Sequence, residues 1–194
     1  MKILIAVPTY ETITPECFKA IYDLRSEHEL HFDYVTGYDC ATARNNIAEL
    51  ALKGDYDYVL MVDSDTIVPE DTLEIMLEDP VEICLGICPR KNTRSGMTAI
   101  IKKDCPNWDD SYRYADLPEG RFEIKAGGFA CALVKVDVFR DVPGPWFRWM
   151  VYDDGFVVGE DMYFCQLASA FDRHRIFADA RVKCGHLARY FQYK

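Results

Sequence analysis

The chain has 194 residues, and 32 Asp and Glu against 22 Lys and Arg give a formal net charge of −10. That length suits one domain with a sizeable core, and the acidic balance excludes a protein whose whole surface binds nucleic acid, because neutralising phosphates needs clustered Lys and Arg. No run approaches the roughly 18 apolar residues of a membrane span, and "MKILIAV" has no signal-peptide layout, so a soluble, cytoplasmic protein is expected. The eight cysteines are then expected to be reduced and buried. The closest pair, Cys84 and Cys88, has no neighbouring His, which argues against zinc.

"KILIAVPTY" reads as a strand ending in a Pro-Thr turn, and Thr14-Pro15-Glu16 as the start of a helix with an apolar stripe at Phe18, Ile21 and Leu24. "HFDYVTGYD" is a second strand. "ATARNNIAELALKG" is a second helix, with Ala43, Ile47, Leu50 and Ala51 predicted inward and Gly54 as its stop. In "YDYVLMVDSDTIVPED" an unbroken apolar run, Val59 to Val62, predicts a strand buried on both faces, and Pro69 then fits a first helical position. "VEICLGICP" is a fourth strand. This βαβαβαβ order predicts an α/β fold with a doubly wound, mostly parallel sheet flanked by helices.

The second half changes character. "MTAIIKK", "RFEIKAGGFACALVKVDVF" and "RIFADARVKCGH" read as strands, "GEDMYFCQLASAFD" is the one convincing late helix, and the acidic, turn-rich residues 104–121 read as an insertion or mobile loop.

Asp63 and Asp65 fall at the carboxyl end of the third strand, where open parallel sheets collect ligands. Alternate strand residues point the same way, so both acids could face one ligand, and two hard oxygen donors suit a divalent cation and a phosphate beyond it. Three further segments carry chemistry: "AGGFACALV" at 126–134, "GED" at 159–161, and "VKCGH" ending in His186. From Ile83 to Lys103 there is no acidic residue, yet Arg90, Lys91, Arg94, Lys102 and Lys103 occur, a basic strip suited to a phosphorylated or polyanionic acceptor.

With its late region "PWFRWMVYDDGFVVGEDMYFCQLASAFDRHRIFADARVKCGH", the chain resembles family 2-like glycosyltransferases of the GT-A (Rossmann-like) fold, in a compact bacterial or phage form. The resemblance spans nearly the whole chain. It implies a single domain over 1–194, with a nucleotide-binding half at 1–90 and a mixed acceptor and catalytic half at 91–194. It also implies transfer of a sugar from a nucleotide-sugar donor, in the first instance a UDP-sugar, with Mn²⁺ or Mg²⁺ holding the diphosphate. In that pattern Asp65 is a direct metal ligand, Asp63 contacts ribose or metal with Ser64 beside it, and His186 supplies a further metal ligand. Pro8, Thr9, Tyr10 and Asp39 line the base and ribose pocket, and Arg44 reaches base or diphosphate. Gly127 and Gly128 are assigned to the sugar and acceptor junction. Asp161 is the base of an inverting transfer, Glu160 contacts acceptor or donor sugar, and Asp153 and Asp154 are reserves for the base. The aromatic, basic tail "ARYFQYK" reads as a packed terminus, a cover for the site or a lipid contact.

Two other enzyme patterns fit less well. "VDSDT" resembles the nucleophile motif of haloacid-dehalogenase-like phosphatases, but two βα units precede it and a helix follows at once. Sugar nucleotidyltransferases need a Gly-rich basic loop that "VPTYETITPE" lacks. A noncatalytic nucleotide-sugar or glycan-binding module is the alternative from another class. The acceptor stays open among glycan, lipid-linked, protein and modified nucleic-acid hydroxyls.

Overall fold

A computed structural model describes the chain apart from residues 38, 92–95, 107–109, 154, 171–173 and 188–194, so Arg94, Asp154 and the tail at 188–194 lie outside the described residues. The first half follows the predicted alternation: β1 (Lys2–Thr9), α1 (Pro15–Tyr22), β2 (Glu29–Thr36), α2 (Cys40–Lys53), β3 (Tyr58–Val62), a two-residue β4 (Thr66–Ile67), α3 (Thr72–Leu77) and β5 (Ile83–Ile87). The second half holds β6 (Ile100–Lys102), β7 (Arg121–Gly127), β8 (Cys131–Lys135), α4 (Val136–Asp141), β9 (Met150–Val151), β10 (Val157–Val158), α5 (Glu160–Ala170), β11 (Ile176–Lys183) and β12 (Gly185–His186). Among the described residues, no helix is long and apolar enough to cross a membrane.

The main sheet has eight strands in the order β2-β1-β3-β8-β5-β11-β7-β6. Only β7 and β8 oppose the common direction, so the sheet is mostly parallel. It departs from a uniform doubly wound order in two places, where β8 pairs antiparallel with both β3 and β5 and where β7 pairs antiparallel with both β11 and β6. The segment "RFEIKAGGFACALVKVDVF" is accordingly not one strand. It breaks after Gly127 into β7 and β8 and then turns into α4.

Alternation along the central strands divides their side chains between two cores. Leu4, Ala6, Val59, Met61, Ile83, Leu85, Ala132 and Val134 face α2, α4 and α5. Ile3, Ile5, Val7, Leu60, Val62, Cys84, Cys131 and Leu133 face α1 and α3. Three local expectations are corrected. In α1 the buried stripe is Cys17, Ala20 and Ile21, while Phe18 lies half exposed, edge-on to Phe32 of β2. In α2 the inner face adds Ala48 and Arg44, and Leu50 is only partly buried. Pro69 lies before α3 rather than in it, and its carbonyl accepts from the Thr72 backbone at 3.2 Å and hydroxyl at 2.7 Å.

Behind α5, Phe164 packs against Phe147 at 4.7 Å between ring centroids, Phe129 at 5.4 Å and Phe139 at 5.6 Å, and all four rings are buried. This cluster fixes α5 against the sheet. Phe164→Ala is therefore expected to lower unfolding stability by about 3–5 kcal/mol, read as a shifted midpoint in urea denaturation.

Candidate active site

The floor of the site is a buried arginine. Arg44 projects from the second turn of α2, where the apolar inner face would otherwise continue, and is 3% exposed. Its guanidinium donates to Asp63 Oδ1 at 2.7 Å, to the Phe129 carbonyl at 3.4 Å, and to Glu160 Oε1. Its Nε has no partner among the described residues. Burial opposes its charge, yet Asp63, Glu160 and Asp161 together hold Arg44 protonated above its ordinary range. Burial raises the carboxyls of Asp63 and Glu160; Arg44 pulls both down, and neighbouring carboxylates push both up.

Asp65 is positioned by a second, two-stranded sheet. β12 pairs antiparallel with β4, His186 opposite Thr66, and the Leu187 backbone donates to the Asp65 carbonyl at 3.0 Å. This brings His186 Nε2 to 3.2 Å from Asp65 Oδ1. His186 Nδ1 lies 2.7 Å from the Pro89 carbonyl, which can only accept, so Nδ1 carries a proton. In the neutral ring Nε2 then keeps its lone pair, the second-contact pattern of a metal-ligating histidine. The Lys91 ammonium pairs with Asp65 Oδ2, so a cation already finds this carboxylate. No third His, Cys, Asp or Glu completes a three-ligand cluster among the described residues. One hard oxygen and one imidazole nitrogen fit a divalent ion whose other ligands come from diphosphate and water.

The Arg44 floor and His186 border a cleft of about 1200 Å³ whose lining includes Arg44, Asp63, Gly128, Glu160, Asp161 and His186, whereas Asp65 is not itself part of that lining. Asp161, in the first turn of α5, accepts at Oδ1 from the Met162 backbone at 2.7 Å. A Cβ at Gly159 would lie 2.9 Å from that oxygen, so Gly159 makes room for the carboxylate. A Cβ at Gly128 would stand 3.6 Å from Asp161 Oδ2 and 3.1 Å from Thr98 Cβ. Gly127 instead faces the core, where a Cβ would come within 2.6 Å of Leu85 Cδ1, and it does not line the cleft.

Other expected site residues lie apart from this lining. Pro8 and Thr9 end β1, with Thr9 Oγ1 donating to the Thr12 carbonyl at 2.9 Å, and Tyr10 is largely exposed. Asp39 caps α2, accepting from Thr42 N at 2.9 Å and Thr42 Oγ1 at 2.8 Å, bonds that lower its carboxyl pKa. Ser64 offers its carbonyl to Thr14. Asp153 is exposed between β9 and β10. Of the basic strip, Arg90 lines the cleft and Lys91 meets Asp65, whereas Lys102 and Lys103 are paired with Asp110 and Glu123.

The cleft also has a wall absent from the predicted site: Thr98 and Ala99, then Ser111, Tyr112, Arg113 and Tyr114 from the supposed insertion. The Tyr-Arg-Tyr run inside an acidic loop was its visible sign. All eight cysteines are free, and only Cys40 is exposed. Thiol hydrogen bonds from Cys131 and Cys88 bring Cys184 down to about 5 and raise its two partners.

No protein-family model matches the chain, and no curated protein matches it in sequence. Solved structures do match in fold. A197 from STIV superposes with a TM-score of 0.66 at 17% identity, over 97% of this chain and 87% of that one. GalNAc-T7 with UDP, GalNAc and Mn²⁺ gives 0.59 at 8% identity, over 100% of this chain and 45% of that one. S. aureus TarS 1-349 in complex with UDP-GlcNAc gives 0.51 at 16% identity, over 100% and 62%. The chain thus spans less than two thirds of the last two. Its fold is the GT-A-like glycosyltransferase fold.

Arg44→Met would leave Asp63 and Glu160 without their cation. Removing one partner of a buried ion pair costs about 3–5 kcal/mol, so a loss of that size is expected at pH 7. A carboxyl with a raised folded pKa favours the fold while protonated and loses that contribution as pH rises through the raised value. Arg44 opposes that rise in the parent. The gap between variant and parent should therefore shrink as pH falls toward the ordinary carboxylate range, measured by urea denaturation across a pH series.

Proposed function

We propose that the protein is a metal-dependent, inverting glycosyltransferase that moves a hexosyl group from a nucleotide-sugar, most simply a UDP-sugar, to an acceptor hydroxyl. The observation that carries this reading is the sharing of one cleft by Asp161 and His186, with Asp65 at hydrogen-bond distance from the histidine, on a GT-A-like fold. GalNAc-T7 with UDP and Mn²⁺, and TarS with UDP-GlcNAc, support the donor class. Free thiols at all eight cysteines suit a reducing, cytoplasmic setting.

Asp65 and His186 would hold Mn²⁺ or Mg²⁺, with Lys91 released from Asp65 Oδ2 as the ion enters. When bound, the ion neutralises charge on the leaving diphosphate. Asp63, held at Oδ1 by Arg44, keeps Oδ2 for ribose or for the ion. Asp161 takes the acceptor proton as the hydroxyl oxygen attacks the anomeric carbon. Gly128 leaves space over its Oδ2. Glu160 is committed to Arg44, so its contribution is to set the charge and position of the floor beside the sugar.

Asp161→Asn retains an oxygen acceptor for the Met162 amide but removes the base. Nucleotide affinity should stay near the parent value while transfer falls by roughly a hundred- to ten-thousand-fold. NMR of the product should show inverted anomeric configuration. Retained configuration, or nearly full transfer by this variant, would remove Asp161 from the base role. Separately, Asp65→Ala and His186→Ala should each weaken Mn²⁺-dependent UDP binding in calorimetry without loss of the fold. Unchanged Mn²⁺ dependence in both would exclude the pair as ligands.

A further inference from the structure

We propose that the junction between the main cleft and a second cavity is an acceptor subsite for a phosphate ester, formed by Arg113, Tyr114 and Lys183. The second cavity, of about 420 Å³, shares Tyr114 and Lys183 with the main cleft and continues past Pro118, Glu119 and Gly120 to Arg181, so its far end carries a carboxylate and the cations gather at the junction. It contains none of Asp63, Glu160, Asp161 or His186. A group bound at the junction therefore reaches away from the donor residues while remaining in the space that leads to Asp161.

The charge pattern selects the ligand. Cations elsewhere on this acidic chain are mostly spent on carboxylates: Lys91 on Asp65, Lys102 on Asp110, Lys103 and Arg175 on Glu123, Arg121 on Asp179, and Arg181 on Glu78 and Asp179. Arg113 and Lys183 form no ion pair among the described residues, and both line the cleft. The Lys183 ammonium stands 5.9 Å from the Tyr114 ring centroid, and Tyr114 is half exposed. The loop carrying Arg113 and Tyr114 is anchored, since Tyr112 N donates to the Ile100 carbonyl at 2.9 Å and its ring packs on Phe122, while Lys183 ends β11. Two separate cations and a phenol offer more donors than one carboxylate accepts. They match a phosphate, whose several oxygens take a guanidinium fork and an ammonium together.

The acceptor role rests on the glycosyltransferase reading, whereas the anion site does not. The test uses the full chain saturated with UDP and Mn²⁺, so that the donor site is filled. Calorimetry with glycerol 3-phosphate probes a free ester, and flotation with phosphatidylcholine vesicles, with or without phosphatidic acid, probes a lipid-borne one. Saturable, salt-sensitive binding of either phosphate probe is expected, about tenfold or more weaker in Arg113→Ala and in Lys183→Ala, and retained in Lys183→Arg. UDP affinity should be unchanged in all three. Both substituted side chains are exposed, so thermal unfolding should match the parent. Whichever probe binds identifies the source of the phosphate. Failure of both probes, or an equal loss of UDP affinity, would overturn the subsite. Phosphate binding by a chain that does not bind UDP would sustain the anion site and sink the glycosyltransferase reading.

Discussion

The site depends on one buried guanidinium. Arg44 ties the end of β3, through Asp63, to the start of α5, through Glu160, and also touches the turn between β7 and β8 at Phe129. These segments are far apart in sequence, and an apolar residue at position 44 would give them nothing to share. The tie also sets the electrostatics. One cation faces Asp63 and Glu160, with Asp161 adding to the same field, so the carboxylates outnumber it and the cleft favours a further positive charge.

A second constraint brings the remaining chemistry to that floor. The β4–β12 pairing is only two residues on each side, yet it sets His186 opposite Thr66 and so beside Asp65. The Pro89 carbonyl then fixes the ring from its other nitrogen. The strand-end Asp63, a histidine from the last strand and a helix-borne carboxylate thus reach one cleft from separate parts of the chain, with Asp65 at hydrogen-bond distance from the histidine.

The fold was legible where local chemistry decides it. Unbroken apolar runs marked β1, β3 and β5, and the alternation with α1 and α2 gave the parallel half. What escaped was set by long-range pairing. Nothing local in "CALVK" says that it enters between β3 and β5, and Gly127 looked like a ligand contact although its open side is filled by Leu85 and Ile100. Within the site, Asp63, Asp65, Asp161 and His186 stood out because their residue types and motif spacing are informative. Arg44 was noticed for its charge, but its burial was hidden because a helix pattern does not show which polar residue finds carboxylates inside. Asp39 has the residue type of a ligand contact and the bonds of a helix cap. The wall at 111–114 was obscured by its acidic surroundings, which made a structured segment look like an insertion.

The central claim is that Asp65 and His186 share a metal which holds a nucleoside diphosphate in the cleft containing Asp161. Crystals grown with Mn²⁺ and UDP, measured at the manganese absorption edge, test it most directly. The account requires an anomalous peak bonded to Asp65 and His186 Nε2, with the UDP diphosphate completing its coordination and Lys91 withdrawn. A peak elsewhere, or UDP bound in the cleft with Lys91 still on Asp65 and no peak, would contradict it.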